Sequence, residues 1–177
     1  MKRIHKSGKT IVHVTHNQIE CFSLGNKIAV MNSGEIVQTS KPKELFVTPG
    51  NKFVARFLGY ENIFDAKLVE KQGSVSLVNV NGVKLKVSEV IDTPECTVAI
   101  RPEDVNLSSS PKRNGATNVL EGTVIEFVDQ GPTVSVIVDI GLSFSVNMTK
   151  RVFVDRNLEL DQKVWLSFKS ESLKVIN

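Results

Sequence analysis

The run VSLVNVNGVKLKVS, residues 75–88, constrains the fold more than any other stretch of this chain. Asn81-Gly82 sits between two apolar-rich segments, and Asn-Gly is the pair best suited to a two-residue hairpin, because both central positions need positive φ. A second run, LSFSVNMT, sets Leu142, Phe144, Val146 and Met148 against Ser143, Ser145 and Asn147. That is the alternation of a half-buried strand. The chain beyond Gly59 keeps this character: CTVAIR halted by Pro102, then VLEGTVIEFVDQG, TVSVIVDIG, KVWLSFKS and LKVI. Short strands punctuated by glycine turns predict small barrels or sandwiches. The polar segment SSSPKRNGATN, residues 108–118, reads as a linker that divides the β region in two.

The chain before Gly59 is of another kind. TIVHV (residues 10–14) reads as a short strand buried on both faces, preceded by a helix that stops at Ser7-Gly8. NQIECFSLGN reads as a helix ending near Gly25-Asn26, and KIAVMNSGEIVQTS as a hairpin turning at Asn32-Ser33-Gly34. KPKELFVTPG opens a helix at Pro42 and closes it at Pro49-Gly50. NKFVARFLG places apolar residues at 53, 54, 57 and 58, a helical stripe. A strand apolar on both faces expects parallel neighbours and covering helices, which so few elements do not supply. Residues 1–30 are therefore expected to be poorly anchored. The fold class is mainly β with a small α/β N-terminal piece, and the expected domains are 1–59, 60–112 and 113–177.

Several functions are excluded or weakened by the residues themselves. Gly8-Lys9-Thr10 resembles the end of a phosphate-binding loop, but Arg3 stands where its first glycine is needed, and the apolar strand follows the motif instead of preceding it. The two cysteines, Cys21 and Cys96, and the three histidines, His5, His13 and His16, show no metal-ligand spacing. His13 reads as a packing residue. A net charge of +3 with scattered basic residues and 6% aromatics gives little support to nucleic-acid binding. No apolar run approaches a membrane span and no signal-peptide pattern opens the chain, so a cytoplasmic location is expected.

VTHNQIEC followed by KIAVMNSGEIVQTSKPKELFVTPGNKFVARFLG resembles the final portion of an ABC-transporter ATPase, without a gap over residues 10–59. The resemblance implies that His16 is the switch histidine, which contacts the γ-phosphate of ATP in an intact ATPase. A histidine just past a buried strand lies where open α/β sheets bind ligands, and its N–H can stabilise charge on a phosphoryl oxygen. Asn17 departs from the family's aspartate, and Cys21 from its small alanine. The P-loop, the signature motif and the acidic end of the Walker-B strand do not occur here. Since phosphoryl transfer is mostly positioning by those parts with Mg²⁺, this chain is not expected to hydrolyse ATP.

AIRPEDVNLS, residues 99–108, resembles the signature of the transport-associated oligonucleotide-type (TOBE) module, with Arg101 and Glu103 expected to pair locally. Residues 117–177 resemble the Mop-type module that binds molybdate and tungstate, so the two β units are expected to be tandem OB-like small barrels. Such modules pair and enclose a tetrahedral dianion with neutral donors and one cation. The matching positions are Thr117, Asn118, Thr149, Lys169 and Ser170, with Trp165 and Phe168 as core or interface residues. Thr117 replaces the family's arginine, Val152 a serine, and Glu171 a ligand hydroxyl. A carboxylate facing a dianion repels it.

Together these resemblances imply the C-terminal regulatory portion of an importer ATPase subunit, homodimeric and sensing an intracellular oxyanion. Its partner would be a transmembrane permease, placing it peripherally at the inner face of the plasma membrane. Mg-ATP would belong to the intact parent and no cofactor to this chain. The alternatives are a free-standing Mop-type storage protein and the regulatory domain of a sugar or other-anion importer.

Overall fold

The computed structural model describes residues 9–111 and 115–176, and the chain divides into two compact units, residues 1–58 and 59–177. The expected helix stop at Ser7-Gly8 and the expected boundary at 112/113 lie outside the described residues.

The first unit contains α1 (Gln18–Leu24), β1 (Ile28–Asn32), β2 (Glu35–Ser40), α2 (Pro42–Val47) and α3 (Lys52–Phe57). β1 and β2 form an antiparallel hairpin whose central residues, Ser33 and Gly34, take φ of 50° and 86°. Positive φ at both positions gives a turn whose twist matches the strands. Asn17 caps α1: its Oδ1 accepts from the N–H groups of Ile19 and Glu20 at 2.8 and 3.3 Å. The asparagine found in place of aspartate thus satisfies otherwise orphaned helix amides. Asn51 caps α3 in the same way, accepting from Val54 N–H at 2.9 Å. The core of this unit is Ile28, Val30, Leu45, Val54, Ala55 and Leu58. Phe53, expected on the apolar stripe, is instead substantially exposed, because α3 turns residues 54, 55 and 58 inward.

Residues 10–14 correct the sequence expectation. They form no strand, and Val12 and Val14 are each 89% exposed. The physical reason is pairing: the only sheet described in this unit is the β1–β2 hairpin, and it does not extend to them. Ile28 is the first buried residue among those described. Amide hydrogens of Ile11 to Val14 are therefore expected to show protection worth no more than about 1 kcal/mol, the level of frayed segments. Native-state exchange read by mass spectrometry checks this, and slow exchange matching that of the unit's core would contradict it.

The second unit holds β3 (Asn62–Gln72), β4 (Val75–Val80), β5 (Val83–Val87), β6 (Glu95–Ile100), a 3₁₀ turn (Pro102–Asp104) and β7 (Asn106–Ser108). There follow β8 (Asn118–Asp129), β9 (Thr133–Asp139), β10 (Ser143–Thr149), α4 (Lys150–Arg156), β11 (Lys163–Phe168) and β12 (Lys174–Ile176). They make two five-stranded antiparallel sheets, ordered β12-β6-β3-β4-β5 and β7-β11-β8-β9-β10. The expected Asn81-Gly82 turn is present, with φ of 48° and 95° joining β4 to β5. No helix among the described residues is long and apolar enough to cross a membrane.

The two sheets are copies of one pattern. β3 pairs with β6 in the register that β8 uses with β11, so that Asn62↔Ile100 corresponds to Asn118↔Phe168. The long first strands carry a bulge at the same place, between Leu68 and Glu70 in one and between Val124 and Glu126 in the other. Each sheet takes one edge strand from the other half of the sequence: β12 closes the β3 sheet against β6, and β7 closes the β8 sheet against β11. One continuous apolar core lies between them, from Val78, Leu85 and Val98 to Val136, Phe144 and Leu166.

Two buried asparagines tie the sheets together. Asn62, 2% exposed, donates from Nδ2 to Ser145 O at 2.9 Å and accepts at Oδ1 from Ser145 N–H at 2.7 Å. Asn118, 4% exposed, does the same with Lys86, at 2.9 and 2.8 Å. Each amide acts as one more residue of a strand ladder, pairing backbone groups on the outer side of an edge strand.

α4 has no counterpart in the first half and no clear sequence signal. KRVFVDR is rich in β-branched residues, which are mediocre helix formers. Two things produce it: Thr149 caps it, accepting from Val152 N–H at 3.3 Å, and Phe153 packs edge-on against Phe127 at 5.0 Å.

Candidate functional site

The residues expected to bind an anion fall into two places. Thr117, Asn118, Lys169 and Ser170 gather where the start of β8 meets the end of β11, through the pair Asn118↔Phe168. Thr149 does not join them. It ends β10, opposite Thr133, beyond the far end of β8, which runs from Asn118 to Asp129. At about 3.3 Å per residue that strand alone separates the two places by roughly 35 Å. Within one chain, Thr149 is a helix cap.

The corner at the start of β8 is a cluster of short polar contacts. Ser170 N–H donates to Thr117 Oγ1 at 2.7 Å, and Thr117 N–H donates to Phe168 O at 3.3 Å. The Ser170 hydroxyl lies 2.7 Å from the hydroxyl of Ser88, while Ser88 N–H donates to Ser170 O at 3.1 Å. Ser170 is 6% exposed, so this is a semi-enclosed corner and not a surface scatter of hydroxyls. Ser88 was not visible as a site residue in the sequence. It follows β5 by one residue and reaches the corner only because Asn118 pins Lys86 to the start of β8.

Lys169 lies next to Ser170 in the chain. Its side chain is exposed and borders a polar cavity of about 840 Å³, which Arg156, Asp104 and Glu103 also line. Arg156 donates from Nη1 to Leu107 O, which fixes it to β7. Glu171 is exposed beside the corner. Uncharged donors gathered at one point can hold a tetrahedral anion reversibly.

Arg101, expected to pair with Glu103, is 6% exposed and lies over the Tyr60 ring, 4.7 Å from its centroid. Burial pushes the Tyr60 hydroxyl above the usual phenol range, with Arg101 pulling the other way. The Arg-Pro-Glu-Asp stretch thus anchors Tyr60 and starts the 3₁₀ turn.

In the first unit, His16 is exposed in the bend just before Asn17. His13 does not pack inside, as expected from sequence, but sits at the surface with Nε2 3.1 Å from Glu20 Oε2. Thr15 Oγ1 donates to the same oxygen at 2.7 Å. This hydrogen bond, then the one from His13, holds the Glu20 carboxyl below its usual range. Among the described residues no group of three or more His, Cys, Asp or Glu side chains could hold a metal ion.

Residues 98–176 match the TOBE domain. The chain is 34% identical over 169 residues to the molybdate/tungstate import ATP-binding protein WtpC of Pyrococcus abyssi, covering 95% of this chain and 47% of that protein. It is 33% identical over 155 residues to the spermidine/putrescine import ATP-binding protein PotA of a Nostoc species, covering 84% of this chain and 40% of that one. Over 171 residues it is 28% identical to the Fe(3+) ions import ATP-binding protein FbpC of Rhizobium etli, covering 96% of this chain and 46% of that one. The chain thus spans about half the length of the curated relatives it matches. Its fold is similar to the crystal structure of the cytoplasmic molybdate-binding protein ModG with molybdate bound, at a TM-score of 0.54 and 16% identity, covering 67% of this chain and 97% of that one. At that identity the likeness is one of fold.

Proposed function

We propose that this chain is a TOBE-domain-containing part of an ABC-transporter ATP-binding protein, and that it senses an intracellular oxyanion, molybdate or tungstate, to control ATP-driven uptake. The TOBE domain is a regulatory, non-catalytic module of such subunits. The observation that carries the proposal is the corner itself: Ser170 meets the hydroxyls of both Thr117 and Ser88 at 2.7 Å, and Lys169 precedes it in the chain. The name of the Pyrococcus relative and the molybdate in the ModG structure agree with this chemistry.

Thr149 belongs to the same proposal only through a partner. A second copy of the chain would bring its Thr149 to this corner, making the sensor a homodimer. The anion would then control transport by binding one arrangement of the pair better than the other. His16 would act on ATP only beside a complete nucleotide site, with Mg-ATP and a membrane permease as partners of that larger assembly and not of the β unit.

A thermal-shift series with tungstate, molybdate, sulfate, phosphate and Mg-ATP tests this. Tungstate or molybdate at a hundred times its dissociation constant is expected to add about 2.7 kcal/mol of stability, and Mg-ATP none. No shift with any oxyanion would sink the sensor.

A second reading rests on the relatives named for spermidine/putrescine and Fe(3+) import, one nearly as similar as the molybdate/tungstate relative. The β unit would then be a scaffold for a subunit that serves another solute. Glu171 beside the corner favours that reading, since its carboxylate opposes a dianion.

A further inference from the structure

The repeat that builds the second unit presents the anion corner twice, and the two copies are chemically opposite. The registers superpose Asn62 on Asn118, Ile100 on Phe168, and Ser145 on Lys86. Counting on from those pairs sets Arg101 on Lys169, Pro102 on Ser170, Glu61 on Thr117 and Asn147 on Ser88. The backbone agrees: Asp104 N–H donates to Arg101 O at 3.1 Å, as Ser172 N–H does to Lys169 O at 3.1 Å.

We infer that the chain holds a single anion position, at the Thr117–Ser88–Ser170 corner, and that its internal twin, at Glu61–Asn147–Pro102, is closed to anions. The inference rests on the oxyanion reading of the first corner. Pro102 removes both donors that Ser170 provides, since it has neither an amide hydrogen nor a hydroxyl. Glu61 puts a carboxylate where Thr117 offers a hydroxyl, so the charge at that position opposes the ligand. Asn147 replaces the hydroxyl of Ser88, and its Oδ1 is buried without a hydrogen-bond partner among the described residues. The cation is withdrawn as well: Lys169 is exposed at its cavity, whereas Arg101 is buried over Tyr60.

The frame is therefore duplicated while the ligand chemistry is not. Both asparagine clamps persist because both are needed to join the sheets. In the first copy the residues flanking the corner, Tyr60 and Arg101, pack on each other instead.

Native mass spectrometry and titration calorimetry of the full chain with tungstate test the inference. The expected saturating ratio is one anion per chain, or one per pair of chains where two corners share it. Ser170→Ala is expected to weaken binding at least tenfold, and Glu61→Ala to leave it within twofold. Two anions per chain, or binding that survives Ser170→Ala and responds to Glu61→Ala, would overturn the single-corner assignment while leaving the sensor intact. No tungstate bound to the unmodified chain would overturn the oxyanion reading and this inference with it.

Discussion

Replacing Asn118 by alanine lowers the unfolding free energy of the β unit by about 3 kcal/mol, and it does so whether or not an anion is present. The truncation removes two part-buried hydrogen bonds and leaves the N–H and C=O of Lys86 without their partners. A buried polar group left without a partner costs about 1–3 kcal/mol, so two of them reach the stated figure even if one relaxes toward solvent. The measurement is a urea titration followed by fluorescence of Trp165, with an expected fall in midpoint of about 1–2 M. Asn62→Ala, which breaks the same clamp at Ser145, is expected to cost a similar amount. If Asn118 were chiefly a ligand residue, its alanine variant would keep the midpoint and lose only anion-dependent stabilisation. That outcome would reverse the structural role assigned to it here.

Asn118 also shows what a sequence can and cannot disclose. The sequence set it at the end of a polar linker, and only a family resemblance made it a candidate anion ligand; that it opens a strand emerges from the fold. Its partner was not legible, because Lys86 lies 32 residues earlier on another sheet. Ser88 escaped for the same reason: it meets Ser170 across 82 residues. The hairpins at Ser33-Gly34 and Asn81-Gly82 were legible because a two-residue turn is decided by the conformational preferences of its own residues. The edge exchange of β7 and β12 was not, since three-residue strands carry almost no periodic signal and their pairing is wholly non-local. The repeat was hidden too. The halves share registers and clamps but not residue types, and α4 with its flanking loops lengthens only one of them. TIVHV failed in the opposite direction: its apolar pattern is a strand's, but a strand exists only where a neighbour accepts its hydrogen bonds.

The largest loss is expected from Phe144→Ala, at about 4 kcal/mol, the usual cost of deleting a buried phenylalanine. Phe144 is fully buried on β10 and lies between Phe64 and Phe168, with ring centroids 5.1 and 5.9 Å away. These three rings come from β3, β10 and β11, so they join both copies of the repeated sheet, and no single neighbour can close the void that alanine would leave. Phe144→Leu keeps most of the volume and is expected to cost about 1–1.5 kcal/mol. The variant also reaches the anion corner. Phe168 stacks on Phe144, accepts from Thr117 N–H, and immediately precedes Lys169 and Ser170. Loosening that ring is expected to weaken tungstate binding in Phe144→Ala even under conditions where the variant is folded, whereas Phe144→Leu should bind almost as tightly as the unmodified chain. Equal unfolding midpoints for Phe144→Ala and the unmodified chain would mean that the aromatic stack does not hold the two sheets together, and that the exchanged edge strands and asparagine clamps carry the unit without it.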